Sequence, residues 1–404
     1  MEKPFGNFRD KVEAFAGRFD ERMRDTPRGK GPKALESTYW NIRDLFTQGV
    51  TREGLKQLIK QDTRDTFRFF TRQIDFAALR QKPWYVRYPK ALWQVFLSLA
   101  YRLNPPRRVA FAIAIFAVLL GLLQSLTAQN GGRTSGALVW WMIGSAILFV
   151  LLLVELKDKL DLKGDLEIAR EIQFGLVPSS PLDRGSFEIN AFMRPANTVG
   201  GDYYDLIDLD ENRLAVVVGD VSGKGMPAAL LMALLQASLR TLITAGFRGA
   251  ELIGRLNEYL CLSIPPNSMV TLFYGELDSS DGTLHYVNAG HNAPFLIRSD
   301  GSINRLAATS TLLGFMYGLG FDSETACVAP GDRVLLFTDG VTEAFNGAGE
   351  EYGEERLSQY LARNRQSKDG GLIRSLVDDV LAFCGPARPL DDMTIMTVER
   401  RSEG

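Results

Sequence analysis

Residues 213–225 read RLAVVVGDVSGKG, a short apolar run that ends at Asp220 and is followed by closely spaced glycines. Runs of this kind, rich in valine and bounded by Gly and Asp, are typical of strands that are buried on both faces. Comparable runs recur from Phe187 to the C-terminal region, and helical patterns interrupt them near residues 227–245, 250–264, 354–362 and 372–383. Strands in quick succession with segregated helices predict antiparallel sheets covered by helices, an α+β layering.

The most informative polar residues are aspartates placed where these strands begin or end. Asp202 lies in VGGDYYD, Asp220 and Asp339 close their apolar runs, and Asp391 and Asp392 open DDMTIMTV. At one edge of a sheet pack such carboxylates would converge, and their mutual repulsion would call for a cation. Because the chain has only 2 histidines and 3 cysteines, the expected ligands are oxygens, which suit Mg2+ or Mn2+ rather than zinc. Taken singly, an Asp beside a Gly after a strand is more often a turn residue.

Several motifs occur in the order of a known family: AREIQFGLVP, RPANTVGGDYYD, GDVSGKGMPAALLMA, NAGHNAPFL, GDRVLLFTDGVTEA and DDMT. The segment from about Leu166 to Arg400 thereby resembles the SpoIIE-like branch of the PPM-type, metal-dependent protein serine/threonine phosphatases. The resemblance implies a layered α-β-β-α sandwich over residues 179–404, with two antiparallel sheets flanked by helices. It also implies hydrolysis of phosphoserine or phosphothreonine on a protein, with an anti-anti-sigma (STAS-domain) protein of bacterial signalling as the expected substrate.

The same resemblance implies a role for each aspartate by its position. Asp220 would bridge two Mn2+ or Mg2+ ions, the carbonyl of Val221 would add a ligand, and Asp220 and Asp339 would be the catalytic residues. Further carboxylates would serve as metal ligands or support them: Asp202 and Asp391 as ligands, Asp205 and Asp392 as supporting groups. In such enzymes the two ions activate a water that attacks phosphorus, so no protein nucleophile is needed.

Other polar residues in these motifs keep alternative interpretations. His291 in NAGHNAPFL is expected to be a hydrogen-bonded turn residue, with a proton shuttle as the alternative. Glu343 either supports Asp339 or begins a helix. Arg194 is a candidate phosphate ligand, although its spacing differs from that of the arginine in the animal enzymes. Lys224 suggests a phosphate-binding loop, but GDVSGKG is one residue short of GxxxxGK, and Gly225 stands where Ser or Thr must hold magnesium.

Two uncharged stretches, residues 109–132 and 134–154, precede this region and are separated by Arg133. A spanning helix needs about 20 apolar residues, so we expect transmembrane helices at about 109–127 and 137–154. A buried hairpin in a soluble core is the alternative, but such helices keep a polar face. Basic residues cluster at the outer ends of both stretches, which predicts a multi-pass protein of the inner membrane with both termini and the phosphatase domain in the cytoplasm.

The segments on either side of this hairpin are predicted to be mostly helical. Residues 1–108 hold 23 Lys and Arg against 12 Asp and Glu, and the stretch from Trp84 to Leu103 mixes aromatic and basic residues in a way that suits a membrane interface. Packing on a small helical domain explains it equally well, and no nucleic-acid-binding motif accompanies the charge. Residues 155–178 are a linker helix whose apolar stripe could pair with a second copy, as a homodimer through 156–177, or pack on the next domain.

The sequence thus predicts a membrane-anchored phosphatase that is gated through its linker and the helices at 227–264. One alternative is a catalytically weak or inactive scaffold that binds a phosphoprotein. The other is a membrane sensor whose front segment captures a ligand. The full set of aspartates argues against the scaffold, because loss of a metal ligand is the change that a pseudoenzyme would carry.

Overall fold

The computed structural model describes residues 103–127, 135–178, 180–364, 371–385 and 390–402, together with single residues between 83 and 101. The chain forms two compact units, Met1–Leu153 and Val154–Gly404. The predictions for residues 1–80 and most of the interfacial stretch from Trp84 to Leu103 lie outside the described residues, as does the link at 128–134. The predicted domain boundaries therefore remain predictions.

Two long apolar helices include most of the described residues of the first unit. Helix α1 spans Pro105–Thr127, and helix α2 spans Ser135–Leu176. Small residues lie between them, since Ala114, Ala117 and Ala137 are buried while most large side chains of the two helices are exposed. A Cβ added to Gly144 would lie 2.6 Å from Val118 Cγ2, so the two backbones approach as closely as in small-residue packing of membrane helices.

Both helices are long and apolar enough to cross a membrane. Helix α2 continues without interruption from the second apolar stretch through the linker to Leu176. The predicted linker helix over residues 155–178 falls largely within α2.

The second unit contains two antiparallel sheets. Sheet A has the strand order β1-β2-β11-β10-β7-β8, and sheet B has the order β3-β4-β5-β6-β9. The strands of sheet A are β1 (Leu182–Arg184), β2 (Phe187–Arg194), β7 (Phe295–Ile297), β8 (Ile303–Arg305), β10 (Arg333–Phe337) and β11 (Met393–Arg400). The strands of sheet B are β3 (Tyr203–Asp208), β4 (Arg213–Val221), β5 (Val270–Asp278), β6 (Thr283–Ala289) and β9 (Glu324–Cys327).

Helices cover the outer face of each sheet. Helices α3 (Met226–Thr244) and α4 (Gly249–Ser263) pack on sheet B, and α6 (Gly353–Arg363) and α7 (Gly371–Cys384) pack on sheet A. A short helix, α5 (Asp339–Thr342), follows β10 directly. A third apolar core, with Val216 and Met396 among its members, lies between the two sheets. The predicted α-β-β-α sandwich with two antiparallel sheets is confirmed.

Helix α3 is also apolar and long enough to span a membrane by composition. Its buried face, which includes Met232, Leu235 and Leu239, packs into the core on sheet B, and Arg240 on the same helix pairs with a buried aspartate. These contacts make α3 a covering helix of the sandwich.

Candidate active site

The predicted site aspartates gather at one edge of the sandwich because of the antiparallel topology. Asp220 lies at the end of β4, and Asp202 directly precedes β3, its partner in sheet B. Asp339 follows β10, and Asp391 and Asp392 precede β11, its partner in sheet A. The ends of two strand pairs, one from each sheet, therefore bring all five carboxylates to the same edge.

Asp202 connects the two sheets across this edge. Its Oδ2 accepts hydrogen bonds from Thr338 Oγ1 at 2.8 Å and Thr394 Oγ1 at 2.6 Å, both of which belong to the sheet A side. Burial raises the pKa of Asp202 well above its usual value, and the neighbouring Asp220 carboxylate raises it further. The hydroxyl groups oppose this shift because they stabilise the charged form.

Asp392 holds the loop that precedes Asp202. Its Oδ1 accepts a hydrogen bond from Ala196 N at 2.7 Å, and its Oδ2 accepts one from Gly201 N at 2.6 Å. The Asp392 backbone carbonyl lies against Gly340, where an added Cβ would overlap it. Asp392 thus fixes the loop before Asp202 through two backbone amides, and Gly340 is needed for the close approach of the two loops.

The pKa values of Asp220 and Asp339 are raised to the range near neutral pH. Burial raises the pKa of Asp220 to about 7, with further contributions from the carboxylates of Asp339 and Asp391. Burial likewise raises the pKa of Asp339 to about 6, and the charges of Asp391 and Glu343 add to the effect. Groups of like charge that are held together in a partly buried site favour binding of a cation.

A single ammonium group lies against these carboxylates in the described part of the chain. Lys224 Nζ is 2.6 Å from Asp391 Oδ2 and donates to the Leu390 carbonyl at 2.6 Å. Its charge also lowers the pKa of Asp339. The loop after β4 therefore reaches across the edge to the turn before β11.

Asp205 has a different environment from the one predicted. Its carboxylate accepts two hydrogen bonds from Arg240, each at 2.7 Å, and one from Tyr203 Oη at 2.6 Å. These contacts tie β3 to α3. The sequence placed Asp205 among the carboxylates that support the metal ligands, and its described hydrogen bonds instead fasten a covering helix to the sheet.

His291 has the environment of a structural residue. Its backbone N–H donates to Asn288 Oδ1 at 2.8 Å, and its Nδ1 lies 2.9 Å from Thr271 Oγ1, on the strand beside Asp220. Burial lowers the pKa of His291 to about 4, so the ring is neutral at physiological pH. This favours the turn interpretation over a proton shuttle.

Two further candidates lie at the margin of the site. Arg194 ends β2 opposite Met393 and is exposed. Glu343 follows the short helix α5, and its N–H donates to the Asp339 carbonyl at 2.7 Å. Glu343 therefore caps the turn that carries Asp339, and its charge acts on the Asp339 carboxyl.

Sequence reasoning missed the contacts that join the linker to this site. Gln173 of α2 is buried, donates to the Gly200 carbonyl at 2.7 Å and accepts from Gly200 N at 3.2 Å. Gln236 of α3 donates to the Leu176 carbonyl at 2.7 Å. The sequence signal for the first contact is a glutamine, Gln173, directly beside the apolar stripe of the linker, because an amide that becomes buried there requires hydrogen-bond partners.

The ligand atoms are of the type that a hard divalent cation prefers, but the side chains are not arranged as a complete binding site. Every predicted ligand is an oxygen, which suits Mg2+ or Mn2+. Among the described residues, no group of three or more His, Cys, Asp or Glu side chains lies in an arrangement that would hold an ion. The physical reason is visible in the hydrogen bonds: Asp202 faces two threonines, Asp391 faces Lys224, and Asp392 faces backbone amides.

The part of the chain that carries Asp220, Asp339, Asp391 and Asp392 matches a known protein family. Residues 210–401 match the family described as Stage II sporulation protein E (SpoIIE). The C-terminal domain belongs to the SpoIIE family. This match covers the strand of Asp220, the turn of Asp339 and the paired aspartates before β11, and the resemblance inferred from the motifs is confirmed.

Relatives of the SpoIIE-family domain include two bacterial proteins. The chain is 31% identical over 278 residues to Protein IcfG of Synechocystis sp., a match to 62% of this chain and 43% of that protein. It is 25% identical over 245 residues to Phosphoserine phosphatase RsbU of Bacillus subtilis, a match to 60% of this chain and 71% of RsbU. The chain therefore spans less than half of the length of IcfG.

A solved structure shares the fold of the SpoIIE-family domain. The SiaA-PP2C domain of Pseudomonas aeruginosa superposes with a TM-score of 0.54 at 19% identity, covering 60% of this chain and 98% of that domain. At this identity the likeness shows the PP2C fold alone.

Proposed function

We propose that the chain is a membrane-anchored, metal-dependent protein phosphatase that hydrolyses phosphoserine or phosphothreonine on another protein. The observation that carries this proposal is the convergence of Asp202, Asp220, Asp339 and Asp391 at one edge of a SpoIIE-family domain, where burial and mutual repulsion raise the pKa of Asp220 to about 7. A similar relative, RsbU, is named a phosphoserine phosphatase.

Asp202, Asp220, Asp339, Asp391 and the carbonyl of Val221 are the groups that would hold two Mn2+ or Mg2+ ions. Such ions supply a water nucleophile at neutral pH and neutralise charge on the phosphoryl group. The protein's own contribution is positional. Thr338 and Thr394 fix the Asp202 carboxylate, and Asp392 fixes the loop that carries it.

The surface beside the site leaves room for a protein substrate. An open cleft of about 570 Å3 adjoins the loop after β4 and is bounded by the linker helix and residues 196–199. Arg170 and Glu167 line it together with apolar groups. A chain segment that carries a phosphorylated residue could reach the loop after β4 from this side. The proposed substrate, a small STAS-domain protein, rests on the family resemblance.

The first experiment is manganese-dependent release of phosphate from a phosphoserine peptide and from p-nitrophenyl phosphate by residues 157–404. We expect activity that requires Mn2+ and falls at least 100-fold in Asp220→Ala and Asp339→Asn. Asp322→Asn is the matched control, because Asp322 is an exposed carboxylate of the same domain. Circular dichroism checks that each variant is folded.

The outcomes separate the enzyme from the scaffold. If the folded domain binds Mn2+ but releases no phosphate from either substrate or from candidate phosphoproteins, the scaffold takes the place of the enzyme. If the folded domain binds no Mn2+ at all, both the enzymatic activity and the assignment of the aspartates as metal ligands are refuted.

We also propose that the linker regulates this site from the membrane side. Gln173 contacts the backbone at Gly200, and the Gly201 amide binds Asp392, so a shift of α2 would disturb the loop before Asp202. Gln173→Ala should lower the activity of the full-length protein at least 10-fold, whereas Glu171→Ala, at an exposed position of the same helix, should not. Unchanged activity in Gln173→Ala would rule out this route.

The inner-membrane location with both termini in the cytoplasm rests on the two apolar helices and the placement of basic residues at their outer ends. Cysteine accessibility in intact cells tests it. A label that does not cross the membrane should modify a cysteine introduced at Ser135, beside the link, but not the natural, exposed Cys327. The reverse pattern would invert the topology.

A further inference from the structure

A phosphatase site must attract a doubly negative phosphate to an edge that is itself lined with carboxylates. Bound cations neutralise part of that charge, but a fixed positive side chain is the usual means of orienting a phosphoryl group. Lys224 is the only lysine in the sequence from residue 164 to residue 367. Its position at the carboxylate edge therefore calls for an explanation.

The loop that carries Lys224 is fixed at its base and open at its tip. Ser222 N donates to the Met269 carbonyl at 2.9 Å, and Met269 N donates to Ser222 Oγ at 2.8 Å, which holds the start of the loop against β5. Gly223 and Gly225 on either side of Lys224 have φ values of 106° and 72°, and a Cβ added to either would meet nothing within 4 Å. The two glycines thus give the loop around Lys224 a backbone that only glycine adopts readily, and the Lys224 ammonium reaches the Leu390 carbonyl and Asp391.

The contacts of Lys224 are those of a cation that can change partners. Its ammonium lies 2.6 Å from Asp391 Oδ2, yet its side chain is 45% exposed and that of Asp391 is 29% exposed. An ion pair in such a setting contributes little to stability. A flexible ammonium with three donors can exchange a carboxylate oxygen for a phosphate oxygen without leaving the site.

Resting on the proposed phosphatase function, we propose that Lys224 is a substrate-binding residue whose ammonium contacts the phosphate of the bound phosphoserine or phosphothreonine. A divalent ion held by Asp391 would compete with Lys224 for that carboxylate, which would leave the ammonium available to the phosphate. Lys224 would then supply a positive charge beside the phosphate, the role for which the sequence analysis named Arg194 as a candidate.

The two roles of Lys224 make opposite predictions when its charge is removed. In Lys224→Met the contact to phosphate is lost, so the inhibition constant of inorganic phosphate and the KM for p-nitrophenyl phosphate should each rise about 10- to 100-fold. The competing cation at Asp391 is lost as well, so the affinity for Mn2+ should stay equal or become tighter. A residue that only positioned Asp391 would show weaker Mn2+ binding when removed.

The experiment uses the full-length protein in detergent micelles. Mn2+ affinity is measured by electron paramagnetic resonance and phosphate affinity by calorimetry in the presence of Mn2+, alongside kcat and KM. Lys224→Arg, which keeps the charge, should recover most of the phosphate affinity. Lys163→Met removes an exposed lysine of the linker and should leave phosphate binding unchanged.

Two results would overturn the assignment. One is phosphate affinity within twofold of wild type in Lys224→Met, and the other is a parallel loss of Mn2+ affinity. Arg194→Met is the competing variant, and a loss of phosphate affinity there but not in Lys224→Met would transfer the role to Arg194. If the protein binds phosphate through Lys224 but shows no turnover, the phosphatase proposal fails and Lys224 remains a phosphate-binding residue without a catalytic substrate.

Discussion

Replacing the central carboxylate should stabilise the metal-free domain while abolishing its activity. Burial raises the pKa of Asp220 from 3.8 to about 7, so the folded domain binds a proton there more tightly than the unfolded chain does. Stability is therefore highest when Asp220 is protonated and falls as the pH rises from about 4 through 7, since the unfolded state releases the proton first. Asp220→Asn removes the ionisable group and keeps its shape.

The expected gain in the free energy of unfolding follows from the size of the pKa shift of Asp220. Each pKa unit corresponds to about 1.4 kcal/mol, so at pH 8 the ionised carboxylate costs at most roughly 4 kcal/mol relative to a neutral side chain. Neighbouring carboxylates relax when one is neutralised, which makes roughly 2 to 4 kcal/mol the expected gain. For a domain of this size that corresponds to a rise in Tm of about 5 to 15 °C. At pH 5 the gain should shrink to about a third, because the folded domain is then mostly protonated at Asp220.

The assay is thermal unfolding of residues 157–404 in EDTA at pH 5 and pH 8, followed by circular dichroism. Asp322→Asn, an exposed substitution of the same type, is the control. Added Mn2+ should raise the Tm of the wild type and not that of Asp220→Asn. A Tm of Asp220→Asn equal to or below that of the wild type at pH 8 would refute the reasoning, because the carboxylate would then not be repelled in the folded state.

Three further predictions concern residues around the site and in the hairpin. Arg240→Met leaves the fully buried Asp205 charge unpaired and should lower the free energy of unfolding by about 3 to 5 kcal/mol in urea titrations; a loss below about 1 kcal/mol would contradict it. His291→Gln should leave the shape of the pH–activity profile unchanged between pH 6 and 8, because the pKa of His291 lies at about 4, and a new limb in that range would show that the ring titrates during turnover. Gly144→Leu should lower the Tm of the full-length protein in detergent. Gly164→Leu should not, because an added Cβ at Gly164 meets nothing within 4 Å. Equal effects of the two substitutions would rule out close packing at Gly144.

The strand ends were predictable from sequence because two local signals coincide there. Valine-rich runs mark buried strands, and an Asp beside a Gly marks where such a strand stops, so the local sequence alone places β4 and β10 with Asp220 and Asp339. The two apolar helices were equally accessible, since length and lack of charge suffice. In each case the deciding information lies within about 20 consecutive residues.

Partners from distant segments were not predictable in this way. Thr338 and Thr394, which hold Asp202, lie 136 and 192 residues from it, and nothing in their local sequence distinguishes them from ordinary strand threonines. Asp205 shows the same limit, because the family resemblance placed it among the supporting carboxylates, whereas in the structure it pairs with Arg240 on α3. Only the pairing of β10 with β11 and of β3 with β4 decides which carboxylates share an environment.

These distant contacts explain why the carboxylates at this edge favour binding of a cation although three of them already have partners in the protein. Asp202, Asp391 and Asp392 each satisfy their oxygens with hydroxyl groups, an ammonium or backbone amides, so the fold is not left with several bare charges. Asp220 and Asp339 have fewer such partners, and their raised pKa values of about 7 and 6 record the repulsion that remains. A divalent cation would relieve that repulsion and compete with Lys224 for Asp391. Metal binding, domain stability and release of the lysine are consequently coupled, and a variant that disturbs one of the three should be visible in the other two.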